Sequence, residues 1–378
     1  MRGEPIPEWP FGSDKARLAY GFSPTDEAAF EALVAARTDF HGIGLTLVAS
    51  PGKLADWPAV PAEALRAASR NQSFWELGHR DVAARLIDTL TAAGAEVLVT
   101  KGTALAYSVY KTPAERRRGD SDLLVRGLPR STVRKLMKAN GFRPVADARP
   151  FQETWCATCP MGFLHMFDIH WRINASAAVA ERLERGGIGS RSIALPRLAQ
   201  SARGIAPTDN LILIAVNRAL HRKYGYQAGE DKAFDQERLI WALDVSLLTR
   251  GFTEADWTQL LATVGESGTA PLVRALLDFG RSAIGMAIPD EVTEGLAQLE
   301  GDPVVLACTA DVPGFSRTRL DLAASDTLAD KLRVIGYALV PNADALHERY
   351  PHLSHWPTAL LHARRISGAV SGLLLGRS

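Results

Sequence analysis

The sequence predicts a mixed α/β (α+β) protein, with a small mixed sheet that is preceded by helices and followed by a helical domain. Short runs at residues 96–100, 121–125 and 163–173 have the length and the apolar pattern of strands. Helical periodicity precedes the first run from about residue 62 and is nearly continuous after about residue 208. The chain of 378 residues is long for one small domain, so two or more folding units are expected.

The composition is that of an ordinary folded protein, with 47% hydrophobic and 22% charged residues. The 43 basic and 42 acidic residues leave a net charge of +1, which provides no field to attract a polyanion, so no nucleic-acid partner is indicated. Three cysteines are too few for a disulfide framework and favour a reducing compartment.

The sequence also predicts a cytoplasmic protein without a membrane partner. Its N-terminus lacks the apolar segment of a secretory signal. The longest weakly polar run, at residues 366–375, has about half of the roughly 20 residues that span a bilayer. We interpret this run as part of a C-terminal helix.

Helical patterns come before the first predicted strand. The pattern at residues 23–37 begins with the capping sequence Ser-Pro-Thr-Asp, and a longer pattern at 62–93 ends at Gly94. The run EVLVT at 96–100 is the first strand, and it leads through a short turn into a helical pattern at 104–110. This order predicts a strand, turn and helix unit.

The second and third strands follow a basic segment. Three arginines occupy residues 116–118, the second strand is expected at 121–125, and a helix at 131–140 closes at Gly141. The third strand, at 163–173, alternates an apolar face with a polar one. The apolar face is expected to be buried.

Proline and glycine residues between 186 and 207 mark the expected boundary between the sheet and the later helices. We predict an N-terminal helical extension at 1–60, a core at 61–200 and a C-terminal helical domain at 201–378. Helices of the last part are expected at 211–221, 234–250, 254–264 and 270–284.

Three aspartates are the candidate catalytic and metal-binding residues. Asp120 and Asp122 lie two apart on a strand, so both carboxylates project from one face. Asp168 lies on the polar face of the third strand and is expected to meet them across the sheet. Two Mg²⁺ or Mn²⁺ ions roughly 3.5–4 Å apart would stabilise such a cluster, and phosphoryl or nucleotidyl transfer is its natural use.

Groups that bind phosphate are predicted beside these aspartates. The turn at Gly102 and Thr103 offers backbone N–H groups at a helix N-terminus and one hydroxyl. Lys101 and the arginines at 116–118 could neutralise a triphosphate. An isolated Asp-x-Asp is a weak motif, so the order of strands, turn and later single aspartate carries the prediction.

Three segments together resemble a known family. They are VLVTKGTAL at 97–105, RGDSDLLV at 118–125 and FDIHW at 167–171, and LIWALDV at 239–245 extends the match. The chain resembles the uncharacterised bacterial nucleotidyltransferase family of the DNA polymerase beta-type superfamily. The core is therefore expected to have the nucleotidyltransferase fold, although Thr103 stands where the superfamily usually has serine or glycine.

The resemblance implies roles for individual residues. Asp120 and Asp122 would bind both metals, and Asp168 would help to activate the acceptor. Gly102 and Thr103 would contact the phosphates of the nucleotide. We add Lys101 and Arg118 to the nucleotide-binding residues, because they flank the site and carry positive charge.

Other polar residues have two open interpretations. His170 lies on the face of Asp168, where it could orient a carboxylate, contact substrate or be structural. Arg238 and Asp244 could face a cleft, but a structural pair is favoured. Cys156 and Cys159, with His165 nearby, could form a redox or zinc site, although packing or a mobile loop is favoured. The histidines near the C-terminus are expected at the surface: His347, His352, His355 and His362.

The sequence thus predicts a metal-dependent nucleotidyltransferase that moves an NMP from an NTP to an acceptor and releases pyrophosphate. The acceptor could be a small molecule, a sugar, a peptide or a protein, and the resemblance allows a role in natural-product tailoring. Two alternatives stay open: a glycosyltransferase that uses a nucleotide sugar, and a nucleotide-binding regulatory protein without catalysis.

Overall fold

Helices cover both faces of a seven-stranded mixed sheet, and further helices follow it in the chain. The α/β fold class is confirmed. This computed structural model describes residues 27–50, 52–55, 57–145, 149–228, 231–309, 314–339, 346, 350–353 and 355–374. The predicted capping sequence at residue 23 and His347 lie outside these residues.

The strands come from the first 205 residues and from one later hairpin. The sheet strands are β1 Glu96–Thr100, β2 Asp120–Arg126, β3 Arg143–Pro144, β4 Gln152–Thr158, β5 Leu164–His170, β6 Ser192–Ala194 and β7 Arg203–Ile205. Their spatial order is β3-β4-β5-β2-β1-β7-β6. A separate hairpin pairs β8 Tyr226–Ala228 with β9 Asp231–Ala233.

Fifteen α-helices have bounds within the described residues. Those before the end of the sheet are α1 Glu27–His41, α2 Gly44–Ala49, α3 Ala59–Ala92, α4 Lys101–Ser108, α5 Arg130–Ala139 and α6 Ala177–Arg185. Those after it are α7 Pro207–Tyr224, α8 Leu239–Thr249, α9 Glu254–Ser267, α10 Ala270–Ile284, α11 Asp290–Gln298, α12 Pro303–Thr309, α13 Gly314–Ala323, α14 Leu328–Leu339 and α15 Thr358–Leu374. No helix in the described part of the chain is long and apolar enough to cross a membrane.

Two hydrophobic cores lie on the two faces of the sheet, because successive residues of a strand point to opposite sides. Val97 and Val99 of β1 belong to the core that contains Leu86 of α3. Leu98, between them, belongs to the core that contains Ile212 of α7. Each such fully buried aliphatic side chain contributes roughly 1.5–3 kcal/mol to folding. The helices after the sheet thus share a core with it.

The register of the central strands decides where the polar residues meet. Strand β2 pairs antiparallel with β1 and parallel with β5, so Asp122 lies between Thr100 and Asp168. Strand β4 pairs antiparallel with β5 and places Thr154 beside Asp168. Side chains at paired positions are close neighbours on one face of a sheet.

The three predicted strands exist, but several predicted bounds were wrong. The third strand ends at His170, and helix α4 begins at Lys101 without a separate turn. The helix predicted from residue 234 begins at Leu239. The hairpin of β8 and β9 ends at Ala233, and a short loop joins it to this helix. Strands β3, β4, β6 and β7 were not predicted.

The predicted core limit at residue 200 lies between the paired strands β6 and β7. The sheet continues through Ile205, because β7 pairs parallel with β1, and the next helix begins at Pro207. The division into an extension, a core and a helical domain stays a proposal, in which we now begin the helical part at Pro207.

Candidate metal and nucleotide site

Two carboxylates and one imidazole converge where β2 and β5 lie side by side. One ligand atom from each of Asp122, Asp168 and His170 lies within 4.8 Å of the others, a grouping that could hold a metal ion. The Nε2 atom of His170 is 2.8 Å from Asp122 Oδ1. Parallel pairing of the two strands explains the convergence, because Asp168 is the register partner of Asp122.

Strand β4 holds the Asp168 carboxylate from the other side. Gln152 Nε2 donates to Asp168 Oδ2 at 2.6 Å, and Thr154 Oγ1 donates to Asp168 Oδ1 at 2.6 Å. Burial and the negative charge of Asp122 raise the pKa of Asp168, whereas the bond from Thr154 lowers it. The carboxylate is thus fixed in orientation by neutral donors.

Lys101 supplies the positive charge nearest to the cluster. Its Nζ atom donates to Asp122 Oδ1 at 2.6 Å. Burial alone would raise the pKa of Asp122, but the Lys101 ammonium and the hydrogen bond with His170 lower that pKa well below its usual range. Asp122 is therefore ionised at any physiological pH.

Asp120 begins β2 and is not one of the three residues of this group. Its surface is exposed, whereas Asp122 is buried. Desolvation of the Asp120 carboxylate, together with the charges of Asp122 and Asp168, raises the pKa of Asp120 to about 7. The structure therefore groups Asp122 and Asp168 with His170, and Asp120 lies close enough to respond to the charges of both aspartates.

The backbone of Lys101 is held in an unusual conformation. Its φ of 52° lies in the left-handed region, which costs a non-glycine residue about 1–3 kcal/mol. The buried Asn210 side chain of α7 binds both of its backbone groups. The Oδ1 atom accepts from Lys101 N at 2.9 Å, and Nδ2 donates to Lys101 O at 3.3 Å. Asn210 thereby fixes the start of α4.

We expect Asn210→Ala to lower the free energy of unfolding by about 1–3 kcal/mol, because it leaves both backbone groups of Lys101 without their partner. Urea unfolding measures this loss. Because both groups belong to the backbone, the loss should be about the same in a Lys101→Gly background. Asn217→Ala, at a half-buried position of the same helix, is the control. A loss no larger than that of Asn217→Ala would contradict the expectation.

The N-terminus of α4 faces the strand that carries the aspartates. Its N-cap residue, Thr100, makes no side-chain capping bond, and Asn210 accepts from the first N–H group, that of Lys101. A side chain at Gly102 would lie 3.3 Å from Arg116 Nη2, so glycine leaves room for that guanidinium. The Thr103 hydroxyl is buried and lies 2.7 Å from Ser121 Oγ, on the face of β2 opposite to its aspartates. The Thr103 hydroxyl therefore points away from the aspartates.

Comparison with known proteins agrees with this geometry. A family model described as uncharacterised nucleotidyltransferase matches residues 28–282, which is more than half of the chain. The chain belongs to this nucleotidyltransferase family. No curated protein matches it. One solved structure, an antigenic nucleotidyltransferase-like protein from Paracoccidioides brasiliensis, is 12% identical over 60% of this chain and 96% of its own, with a TM-score of 0.31.

The arginines of this nucleotidyltransferase have different partners. Arg118 was predicted to bind nucleotide, but the structure does not bring it to the cluster. Its Nη2 donates to Glu76 at 2.7 Å, and the pair is buried under Tyr107 and Trp75. Arg116 is the arginine that lies beside Gly102.

Arg116 forms a bidentate ion pair with a buried carboxylate near the site. Its Nε and Nη2 atoms donate to the two oxygens of Asp244 at 2.7 and 2.8 Å, and Tyr110 Oη donates to Asp244 at 2.7 Å. The predicted pairing of Asp244 with Arg238 was wrong, because both Asp244 oxygens are bound to Arg116. Bidentate pairing of this kind fixes geometry as well as charge.

Two cysteines were candidates for a redox or zinc site. Cys156 lies in β4, and Cys159 follows it; both are buried free thiols. His165 is buried among aromatic rings, 5.0 Å from the Trp75 centroid and 5.4 Å from that of His79. This burial agrees with the packing interpretation of the segment.

Proposed function

We propose that this protein is a metal-dependent nucleotidyltransferase that moves an NMP from an NTP to an acceptor and releases pyrophosphate. The observation that carries the proposal is the convergence of Asp122, Asp168 and His170 beside Lys101, at the start of α4. Membership of the DNA polymerase beta-type superfamily is part of this proposal. The family match supports nucleotidyl transfer in general.

The donor set fits a divalent cation. Carboxylate oxygens suit Mg²⁺ and Mn²⁺, and an imidazole nitrogen favours Mn²⁺ more than Mg²⁺. We propose Asp122, Asp168 and His170 as ligands, with Asp120 as a further carboxylate at the open side. A bound cation would stabilise negative charge on phosphate oxygens and favour ionisation of an attacking hydroxyl.

Other residues of the chain would bind the phosphates and position the acceptor. Lys101 offers an ammonium to a phosphate oxygen, and the backbone N–H groups of Gly102 and Thr103 lie at the positive end of α4. Asp168, fixed by Gln152 and Thr154, would hold a proton-bearing acceptor group in one orientation. Such positioning, together with electrostatics, provides most of the rate in phosphoryl transfer.

The first test is pyrophosphate release. We expect purified protein to release pyrophosphate from at least one NTP when Mg²⁺ or Mn²⁺ is present, and to lose this signal when EDTA removes the cation. Water can serve as a slow acceptor until a physiological one is found. Each NTP is assayed separately with a coupled pyrophosphatase, because the preferred base is unknown.

Nucleotide sugars serve as the comparison substrates. Release of a nucleoside diphosphate from a nucleotide sugar, with no pyrophosphate from any NTP, would favour a glycosyltransferase and contradict the proposal. Metal-dependent binding of NTP without any turnover, over a panel of acceptor hydroxyl compounds, would favour the regulatory alternative. Calorimetric titration of each NTP distinguishes these two results.

A further inference from the structure

Arg238 lies at the N-terminal end of α8 among aromatic side chains. The centre of its guanidinium is 3.7 Å from the Tyr226 ring centroid and about 6 Å from the rings of Phe40 and Trp241. Its Nε atom donates to the Phe40 carbonyl at 2.7 Å. The Tyr226 stack and this hydrogen bond hold the guanidinium plane in one orientation.

The guanidinium of Arg238 has no counterion among the described residues. The neighbouring carboxylate, Asp244, has both oxygens bound by Arg116. Burial lowers the pKa of Arg238 to about 10, so the side chain still carries its charge at neutral pH. A half-buried cation without a counterion is costly, and cation–π contacts contribute only about 0.5–2 kcal/mol. An anionic ligand would compensate the positive charge of Arg238.

His221 lies beside two of the aromatic rings that surround Arg238, those of Tyr226 and Trp241. Its ring centroid is 5.5 Å from that of Tyr226. Burial and the charges of Lys101 and Arg238 lower the pKa of His221 to about 4, while Asp122 opposes this shift. His221 is therefore neutral and lies within electrostatic range of both Lys101 and Arg238. Lys101 is paired with Asp122, whereas Arg238 has no carboxylate partner among the described residues. The helix that begins beside Arg238 also reaches the start of α4, because its Asp244 binds Arg116 next to Gly102.

We propose that Arg238 binds the terminal phosphates of the NTP, the part that leaves as pyrophosphate. The inference rests on the proposed function, because it assumes that the α-phosphate lies at the aspartate cluster. The terminal guanidinium nitrogens can bind two phosphate oxygens in parallel, a geometry that lysine cannot reproduce. Lys101 and Arg238 would then contact different parts of one triphosphate.

The test compares Arg238→Gln with Arg250→Gln, which removes an exposed arginine at the end of the same helix. The probes are inorganic tripolyphosphate, an NTP and the matching NMP, each titrated with Mg²⁺ or Mn²⁺ present. We expect Arg238→Gln to weaken tripolyphosphate and NTP binding roughly 10- to 100-fold and to leave NMP binding unchanged. Arg238→Lys should give a smaller loss, and Arg250→Gln none.

Thermal unfolding provides a readout that separates ligand binding from a structural role. Removal of an uncompensated cation should leave the midpoint unchanged or raise it slightly. A lowered midpoint with unchanged tripolyphosphate affinity would overturn the inference and assign Arg238 to packing. Equal losses for Arg238→Gln and Arg250→Gln would also overturn it, because the effect would be one of net charge.

Failure of the proposed function would look different. Wild-type protein would then bind neither NTP nor tripolyphosphate with either cation, and both proposals would be overturned together. If wild-type protein binds both ligands and Arg238→Gln binds them equally well, only the role of Arg238 is overturned.

Discussion

Asp122→Asn is expected to reduce pyrophosphate release by roughly 10³-fold or more. The substitution preserves the shape of the side chain but removes its negative charge. Lys101 and His170 both contact the oxygen that carries this charge, Asp122 Oδ1. An amide oxygen is a much weaker ligand for a divalent cation than a carboxylate. The variant should therefore lose cation affinity as well as turnover.

Mn²⁺ binding provides a measurement of this effect that needs no acceptor. The electron paramagnetic resonance signal of free Mn²⁺ reports how much cation the protein takes up, and wild-type uptake should be lost in Asp122→Asn. Asp81→Asn, at an exposed position on α3, is the matched control and should change neither uptake nor turnover. Wild-type Mn²⁺ affinity in Asp122→Asn would contradict our assignment of the site.

The aspartates could be predicted because they depend on strand periodicity alone. Residues two apart on a strand share a face, so Asp120 and Asp122 were placed together without knowledge of the fold. The alternation around Asp168 likewise predicted a polar face. Which carboxylate lies next to His170 depends on the register between β2 and β5, and no local pattern specifies that register.

The missed elements have identifiable physical causes. Strand β4 contains Gln152 and Thr154, whose polarity hides the strand pattern but which serve to hold Asp168. Strands β6 and β7 are three residues long each, too short to show a period. Asn210 contacts Lys101 across 109 positions of sequence, and nothing near either residue indicates that contact.

The arginines illustrate the same limit. Residues 116–118 are chemically identical in the sequence, yet their side chains take different partners: Asp244 for Arg116, Asp39 for Arg117 and Glu76 for Arg118. The choice depends on α8, α1 and α3, which approach the segment from distant parts of the chain. Charge alone predicted that this segment flanks the site, but not which residue lies beside Gly102.

Asp244→Ala is expected to lower the free energy of unfolding by about 3–5 kcal/mol, because it leaves the largely buried Arg116 guanidinium without its counterion. Tyr110 Oη would lose its acceptor as well. This is a large part of the 5–15 kcal/mol that typically stabilises a folded domain. Urea unfolding measures the loss, and Asp256→Ala, which removes a half-buried carboxylate from the capping box of α9, should cost only about 1 kcal/mol.

A double variant distinguishes two costs: that of leaving the Arg116 charge without a counterion, and that of losing the ion pair as a whole. Replacement of both partners, Arg116→Met with Asp244→Leu, removes both buried charges and should lose less stability than Asp244→Ala alone.

Because Arg116 precedes β2 and Asp244 lies in α8, the pair joins the sheet to the later helices, which also share a hydrophobic core with it. Asp244→Ala should therefore destabilise one cooperative transition. Two separate transitions, with only the helical one shifted, would instead show that the helices fold as an independent domain.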